Sequence, residues 1–151
     1  LERVMQVVCI DSNIVLAARN ANAKRHDDAT AIFNAVDTGE LPRGRLTNYV
    51  IPEILHPLQK HISKAAASDT LDRLQSSRGF EFVYVSKAVH LYGEQLFRTY
   101  EASSGPEWVD SILAAYMQSE DIEYIYSFDD DFDVFDNVTR LTTATNPFMP
   151  D

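Results

Sequence analysis

The chain is poor in the residues that carry thiol, disulfide and nucleotide-cofactor chemistry. It has one cysteine, Cys9, which excludes an intrachain disulfide and a cysteine-based zinc site. Cys9 lies in the apolar run Val7-Val8-Cys9-Ile10, where a lone thiol acts as a small core residue. Glycine is scarce, five in 151 residues, and no G-x-S-x-G, P-loop or G-x-G-x-x-G motif occurs. Serine-hydrolase and dinucleotide chemistry therefore have no candidates. No apolar stretch approaches the roughly 20 residues of a membrane span, and Leu1-Glu2-Arg3 opens no signal-peptide h-region. A cytoplasmic location with no membrane contact is the expectation. Repeats, low-complexity tracts and linker-like Pro/Gly/Ser runs are also lacking, so residues 1–151 read as one domain, large enough to fold without staples.

Lysine is scarce too. Only Lys24, Lys60, Lys64 and Lys87 occur, and the formal net charge is -10. Such a balance opposes phosphate binding through a basic patch. The excess acid is spread along the chain and Asp outnumbers Glu, as on a surface adapted to high salt. In molar salt the Debye length is about 3 Å, so distributed charge would repel RNA only weakly. Dialysis from molar KCl into dilute buffer is expected to cost folded structure, read by circular dichroism; unchanged stability would remove the salt-adaptation reading.

What the chain does have is alternation. Apolar stretches at 4–10, 80–85 and 122–128 read as strands, with Arg45-Leu46-Thr47 a shorter one. Helical spacing appears between them, in Ala29, Ile32, Phe33 and Val36, in Leu71 and Leu74, and in Val89, Leu91, Leu96 and Phe97. In the segment from Tyr49 to Lys60, Pro52 reads as a first-turn residue and Pro57 as a kink or break. Ser104-Gly105-Pro106-Glu107 has capping-box spacing and starts a helix through about Ser119. Strands alternating with helices imply an α/β fold, a central parallel sheet between two helical layers.

Against that frame four acids stand out. Asp11 closes the first apolar run and Asp129 closes Tyr124-Ile125-Tyr126-Ser127-Phe128, which puts both at C-terminal strand ends, the edge where open α/β sheets bind ligands. Asp11 could equally cap a helix begun by Ser12-Asn13. Asp110 shares a helical face with Leu113, Ala114 and Met117, beyond the first turn of its expected helix, so the helix dipole alone does not account for it. Glu53 lies at a helix start, where the dipole reading is stronger. The run Asp129-Asp130-Asp131-Phe132-Asp133 could be a solvated turn. It is not an EF-hand loop, because the positions requiring Gly and Glu hold Val134 and Arg140. Glu53-Ile54-Leu55-His56 matches a di-iron ligand pair, but only one copy is present. The phosphotransferase motif D-x-D-x-[TV] fails because Asp133 takes its fifth position.

The ordered set Ile10-Asp11-Ser12-Asn13, Glu53, Trp108-Val109-Asp110-Ser111-Ile112-Leu113-Ala114-Ala115 and Ser127-Phe128-Asp129-Asp130-Asp131-Phe132 resembles the PIN domain family, the nuclease fold of VapC-type toxins and of several RNA-processing factors. The resemblance spans nearly the whole chain. It implies that Asp11, Glu53, Asp110 and Asp129 hold Mg²⁺ or Mn²⁺, that Asp131 assists, and that Ser12 helps order the site; Ser12, Asn13 and Ser127 are then expected to position water or ligands. It also implies an RNA substrate, a homodimer and a small antitoxin partner. Ser127 stands where threonine is common, and Asp136-Asn137 replaces a frequent glycine turn. Arg43 and Arg45, just before the Glu53 helix, are candidate RNA-phosphate contacts, with solvated surface charge as the alternative.

Elementary electrostatics points the same way. Two unit charges about 4 Å apart repel by roughly 4 kcal/mol at an effective dielectric near 20. Several such pairs would rival a domain's whole stability of about 5 to 15 kcal/mol, so protons or cations must relieve converging carboxylates. Oxygen donors favour Mg²⁺ or Mn²⁺ over zinc. The expected activity is metal-dependent endoribonucleolytic hydrolysis, as the toxin of a toxin-antitoxin pair. The alternatives are an RNA maturation or quality-control nuclease of the same fold, or a catalytically silent RNA- or protein-binding module.

Overall fold

The computed structural model describes residues 6–100 and 105–149. Five strands, β1 (Val7–Ile10), β2 (Arg43–Thr47), β3 (Phe80–Val83), β4 (Tyr124–Tyr126) and β5 (Thr139–Leu141), form one sheet in the order β3-β2-β1-β4-β5, every pair parallel. The near-continuous apolar runs of β1 and β4 suit a sheet covered on both faces. Val8, Cys9, Ile10 and Ile125 are at most 1 % exposed. Burial pushes the Cys9 thiol up to about 12, which leaves it protonated and unreactive.

Helices α1 (Ser12–Ala18), α2 (His26–Thr38), α3 (Val50–His61) and α4 (Lys64–Ser76) connect β1, β2 and β3, with α1 packed on α2 and α3, and α3 on α4. Helices α5 (Lys87–Thr99) and α6 (Trp108–Ser119) pack on each other and carry the chain back past β1 to β4. Because the sheet is built in opposite directions before and after β3, right-handed crossovers put α1–α4 on one face and α5 and α6 on the other. The expected three-layer α/β/α architecture is thus present. The chain leaves β1 toward β2 on one side and β4 toward β5 on the other. This reversal opens a crevice at the C-terminal strand ends between β1 and β4.

Three local expectations are corrected. Pro57 does not interrupt α3, which runs unbroken from Val50 to His61; the missing N–H leaves the carbonyl one turn back without its helical donor, and the buried residues Val50, Ile54 and Leu58 still hold the helix to the core. Helix α6 begins at Trp108 with Glu107 as its N-cap and Asp110 as its third residue, so Asp110 lies in the first turn. The expected cap at Ser104 falls outside the described residues. Finally, β5 was not anticipated; it pairs Thr139, Arg140 and Leu141 with β4. Asn137, in the expected turn before it, adopts φ 64, the left-handed conformation that asparagine tolerates better than most residues and that a glycine would take freely.

Gly93 fixes the approach of α5 to α6. A Cβ at this position would lie 2.8 Å from the Ile112 Cα and 2.6 Å from its Cδ1. Gly93→Ala is expected to cost about 1 to 3 kcal/mol through overpacking, seen as a lower urea midpoint at unchanged slope. An unchanged midpoint would mean that the helices separate freely.

Candidate metal centre

The crevice is built outward from Asp11. Its backbone N–H donates to the Tyr126 carbonyl at 3.0 Å, extending the β1–β4 ladder one residue past the strand. Its side chain caps α1, with Oδ1 accepting the Ser12 N–H at 2.8 Å. The capping role and the site role thus coincide. Oδ2 accepts the Ser127 hydroxyl at 2.6 Å and the Asn13 amide at 3.1 Å. Asp11 is 4 % exposed and Ser127 fully buried. Burial raises the Asp11 pKa, the bonds from Ser127, Ser12 and Asn13 oppose the rise, and the Asp129 charge adds to it.

Ser127 and Asn13 join the two strand ends. The Ser127 hydroxyl accepts the Asp129 N–H at 3.0 Å while donating to Asp11, and the Asn13 carbonyl oxygen accepts the Phe128 N–H at 3.1 Å. Asn13 also donates to Ser127 Oγ at 3.3 Å. Asp129 in turn accepts the Asp131 N–H at 3.0 Å and caps the short 3₁₀ turn Asp130–Val134.

Glu53 and Asp110 enter from the first turns of α3 and α6. Ser12 Oγ donates to Glu53 Oε1 at 3.2 Å. The Glu53 pKa is raised by burial and by the Asp11 charge, with Glu107 and Asp129 adding less. Asp110 closes a capping box by accepting the Glu107 N–H at 3.2 Å. That favourable bond is outweighed: burial first, then the charges of Asp129 and Asp11, push Asp110 up to about 8. Asp131 is raised by burial and by the Asp129 and Asp130 charges.

Asp110, Asp129 and Asp131 can each direct one oxygen to within 4.8 Å of the others. Asp11 and Glu53 flank this trio closely enough to shift, or be shifted by, its charges. Glu107 belongs to the same field, acting on Glu53 and Asp131. It was not anticipated as a site residue, since the sequence reading assigned it to a cap with Ser104; its spacing three residues ahead of Asp110 was the available signal. The donor set is all carboxylate oxygen, the chemistry that suits Mg²⁺ or Mn²⁺. The upward shifts come first from burial and then from the like charges gathered beside each group.

Arg43 and Arg45 do not join the carboxylates. Arg43 pairs in register with Val7, at the far ends of the strands, and lies 3.6 Å from Glu81. Arg45 is 9 % exposed; its Nε donates to Glu81 at 2.8 Å, and its Nη1 to Glu120 at 3.0 Å and to the Tyr116 hydroxyl at 3.1 Å. Neither expected alternative describes Arg45: it is a buried, paired cation, because a guanidinium so placed needs partners. Asp133, exposed, is occupied by Arg140 at 3.0 Å.

A family profile for the PIN domain matches residues 8–138. Among solved structures, VapC20 of Mycobacterium tuberculosis, a sarcin-ricin loop cleaving toxin, aligns with TM-score 0.71 at 20% identity over 87% of this chain and 98% of its own. VapBC2 from Rickettsia felis, bound to a promoter DNA fragment, aligns with TM-score 0.68 at 17% identity over 89% of this chain and 97% of the other. A toxin-antitoxin complex from Klebsiella pneumoniae gives TM-score 0.60 at 16% identity, covering 92% and 98%. At these identities the likeness is one of fold. No curated protein sequence matches the chain. The profile runs from β1 to the approach of β5 and so contains every carboxylate gathered in the crevice, and the chain accordingly belongs to the PIN domain family of nucleases.

Proposed function

We propose that this protein is a metal-dependent endoribonuclease, the toxin of a toxin-antitoxin pair, in which Asp11, Glu53, Asp110 and Asp129 ligate Mg²⁺ or Mn²⁺ with Asp131 assisting. The observation that carries the proposal is the meeting of five carboxylates from four separate segments at the sheet's switch point, three of them able to reach one point. Bound there, the metal would supply Lewis-acid activation of water and charge neutralisation at a phosphodiester. The chain's own residues prepare the site. Ser127 and Asn13 hold Asp11 in one orientation, Ser12 holds Glu53, and the Glu107 N–H holds Asp110. Hydrolysis then requires no covalent intermediate.

Family membership supports nuclease chemistry, and the sarcin-ricin loop cleavage by VapC20 supports an RNA substrate. The toxin-antitoxin neighbours support a small antitoxin partner and, with it, a cytoplasmic role; the family resemblance supports a homodimer of single-domain chains. Among the described residues no helix is long and apolar enough to cross a membrane.

The deciding experiment maps new RNA 5′ ends in total RNA incubated with Mn²⁺ and high salt, comparing the protein with its Asp11→Asn variant. A few discrete, Asp11-dependent ends would establish the nuclease and name its target. Metal binding with no new ends would favour a silent binding module. A short adjacent reading frame encoding a DNA-binding protein would favour the toxin over an RNA-maturation enzyme.

A further inference from the structure

Resting on that reading, we infer that Tyr49, His90 and Trp108 form a stacking platform for an unpaired RNA base next to the phosphate at the carboxylates. Tyr49 is the N-cap of α3, whose first turn carries Glu53, and Trp108 opens α6, whose first turn carries Asp110. His90, from α5, lies between them. The Tyr49 and His90 rings are near-parallel, 19° apart with centroids at 5.9 Å, and the Tyr49 hydroxyl shares a hydrogen bond with His90 Nδ1. The Trp108 ring meets His90 edge-on at 5.5 Å and Phe97 likewise at 5.5 Å. All four rings are half-buried, none sealed in the core. An aromatic wall therefore joins the starts of the two helices that deliver metal-site acids.

Charge makes this wall more than packing. Five arginines are engaged by carboxylates: Arg25 by Asp28, Arg43 and Arg45 by Glu81, Arg73 by Asp37 and Arg140 by Asp133, which leaves Arg19, Arg78 and Arg98 as the exposed arginines with no ion pair among the described residues. A chain of net charge -10 that binds RNA needs contacts that do not depend on cations. Base stacking on aromatic faces meets that need, since every base has a π face. Its strength also survives salt that releases phosphate contacts. A stacked base must be unpaired, so the substrate class is single-stranded RNA or an RNA loop.

Trp108 is the chain's only tryptophan, which makes it a direct reporter. Asp11→Asn protein with Mn²⁺ is titrated with a 12-nucleotide single-stranded RNA, a blunt duplex of the same sequence, and inorganic polyphosphate, while a label on each RNA reports binding by anisotropy. Saturable quenching by the single strand, little by duplex or polyphosphate, and a shallow salt dependence are expected. In the active protein, Tyr49→Leu is expected to raise KM by roughly 5- to 150-fold with kcat changed far less, and Tyr49→Phe to recover most of that loss. A variant disturbing only packing would lower thermal stability without separating KM from kcat. Single-strand binding or cleavage with unchanged fluorescence would overturn the platform and leave the nuclease reading standing. Neither binding nor cleavage of any RNA would overturn both.

Discussion

Asn in place of Asp11 is expected to lower RNA cleavage by at least about a hundredfold while leaving the circular dichroism spectrum unchanged. The size follows from position. Removing a partner that merely orients a metal ligand costs about 10- to 100-fold, and Asp11 is itself a proposed ligand. The fold survives because an asparagine oxygen can still accept the Ser12 N–H and cap α1. Ser127→Ala makes the graded comparison. It removes the hydroxyl that donates to Asp11 and accepts from Asp129, so a loss of about 10- to 100-fold is expected. Initial rates under excess labelled RNA measure both. An Asp11→Asn protein with full activity would sink the assignment of Asp11.

The second large effect is on stability, and its sign is opposite to that of most acid substitutions. Asp110 is pushed up to about 8 in the folded protein, whereas an aspartate in an unfolded chain titrates near 4. Between those limits the metal-free folded state holds a proton that the unfolded chain has released, so stability falls as pH rises through that window. Below about pH 4 both states are protonated and the penalty vanishes. In full, such a shift would carry roughly 6 kcal/mol; relaxation and solvent screening in an open crevice reduce this to about 2 kcal/mol. Asp110→Asn removes the titration and keeps an acceptor for the Glu107 N–H. Metal-free Asp110→Asn is therefore expected to melt about 5 °C above the parent at pH 8 and close to it at pH 4. Mn²⁺ at a hundredfold excess over its Kd should stabilise the parent by about 2.7 kcal/mol and the variant hardly at all. Differential scanning calorimetry at the two pH values, with and without Mn²⁺, reads all four states. A variant no more stable than the parent at pH 8 would remove the claim that burial and neighbouring carboxylates together raise Asp110 in the metal-free protein.

The parts of this arrangement that were legible in the sequence are those with local signatures. Val7-Val8-Cys9-Ile10 and Tyr124-Ile125-Tyr126 are short apolar runs of the kind a sheet buried on both faces carries, and an acid just beyond each run marks the binding edge. Asp110 was legible as an acid on a buried face, but its place in the helix was not. Ser104 to Glu107 and Glu107 to Asp110 have the same spacing, and either could close a capping box. Strand β5 escaped because Thr139-Arg140-Leu141 has no apolar run and lies at the sheet edge. The pairing of Arg45 escaped for a different reason. Its partners Glu81 and Glu120 are 36 and 75 residues away, and nothing in the local pattern separates a buried arginine from a solvated one. Pro57 misled because a missing backbone bond is a local cost, whereas the burial of Ile54 and Leu58 that offsets it is tertiary.

The sealed thiol in the middle strand gives the molecule a practical property. Cys9 is 0 % exposed, so it stays silent toward maleimides while the fold is intact. A cysteine introduced at Tyr84, 79 % exposed at the end of β3, would be the one reactive sulfur in the native chain. A single fluorophore could then be attached without removing any native residue of the core, and reaction at Cys9 itself would report the opening of the sheet.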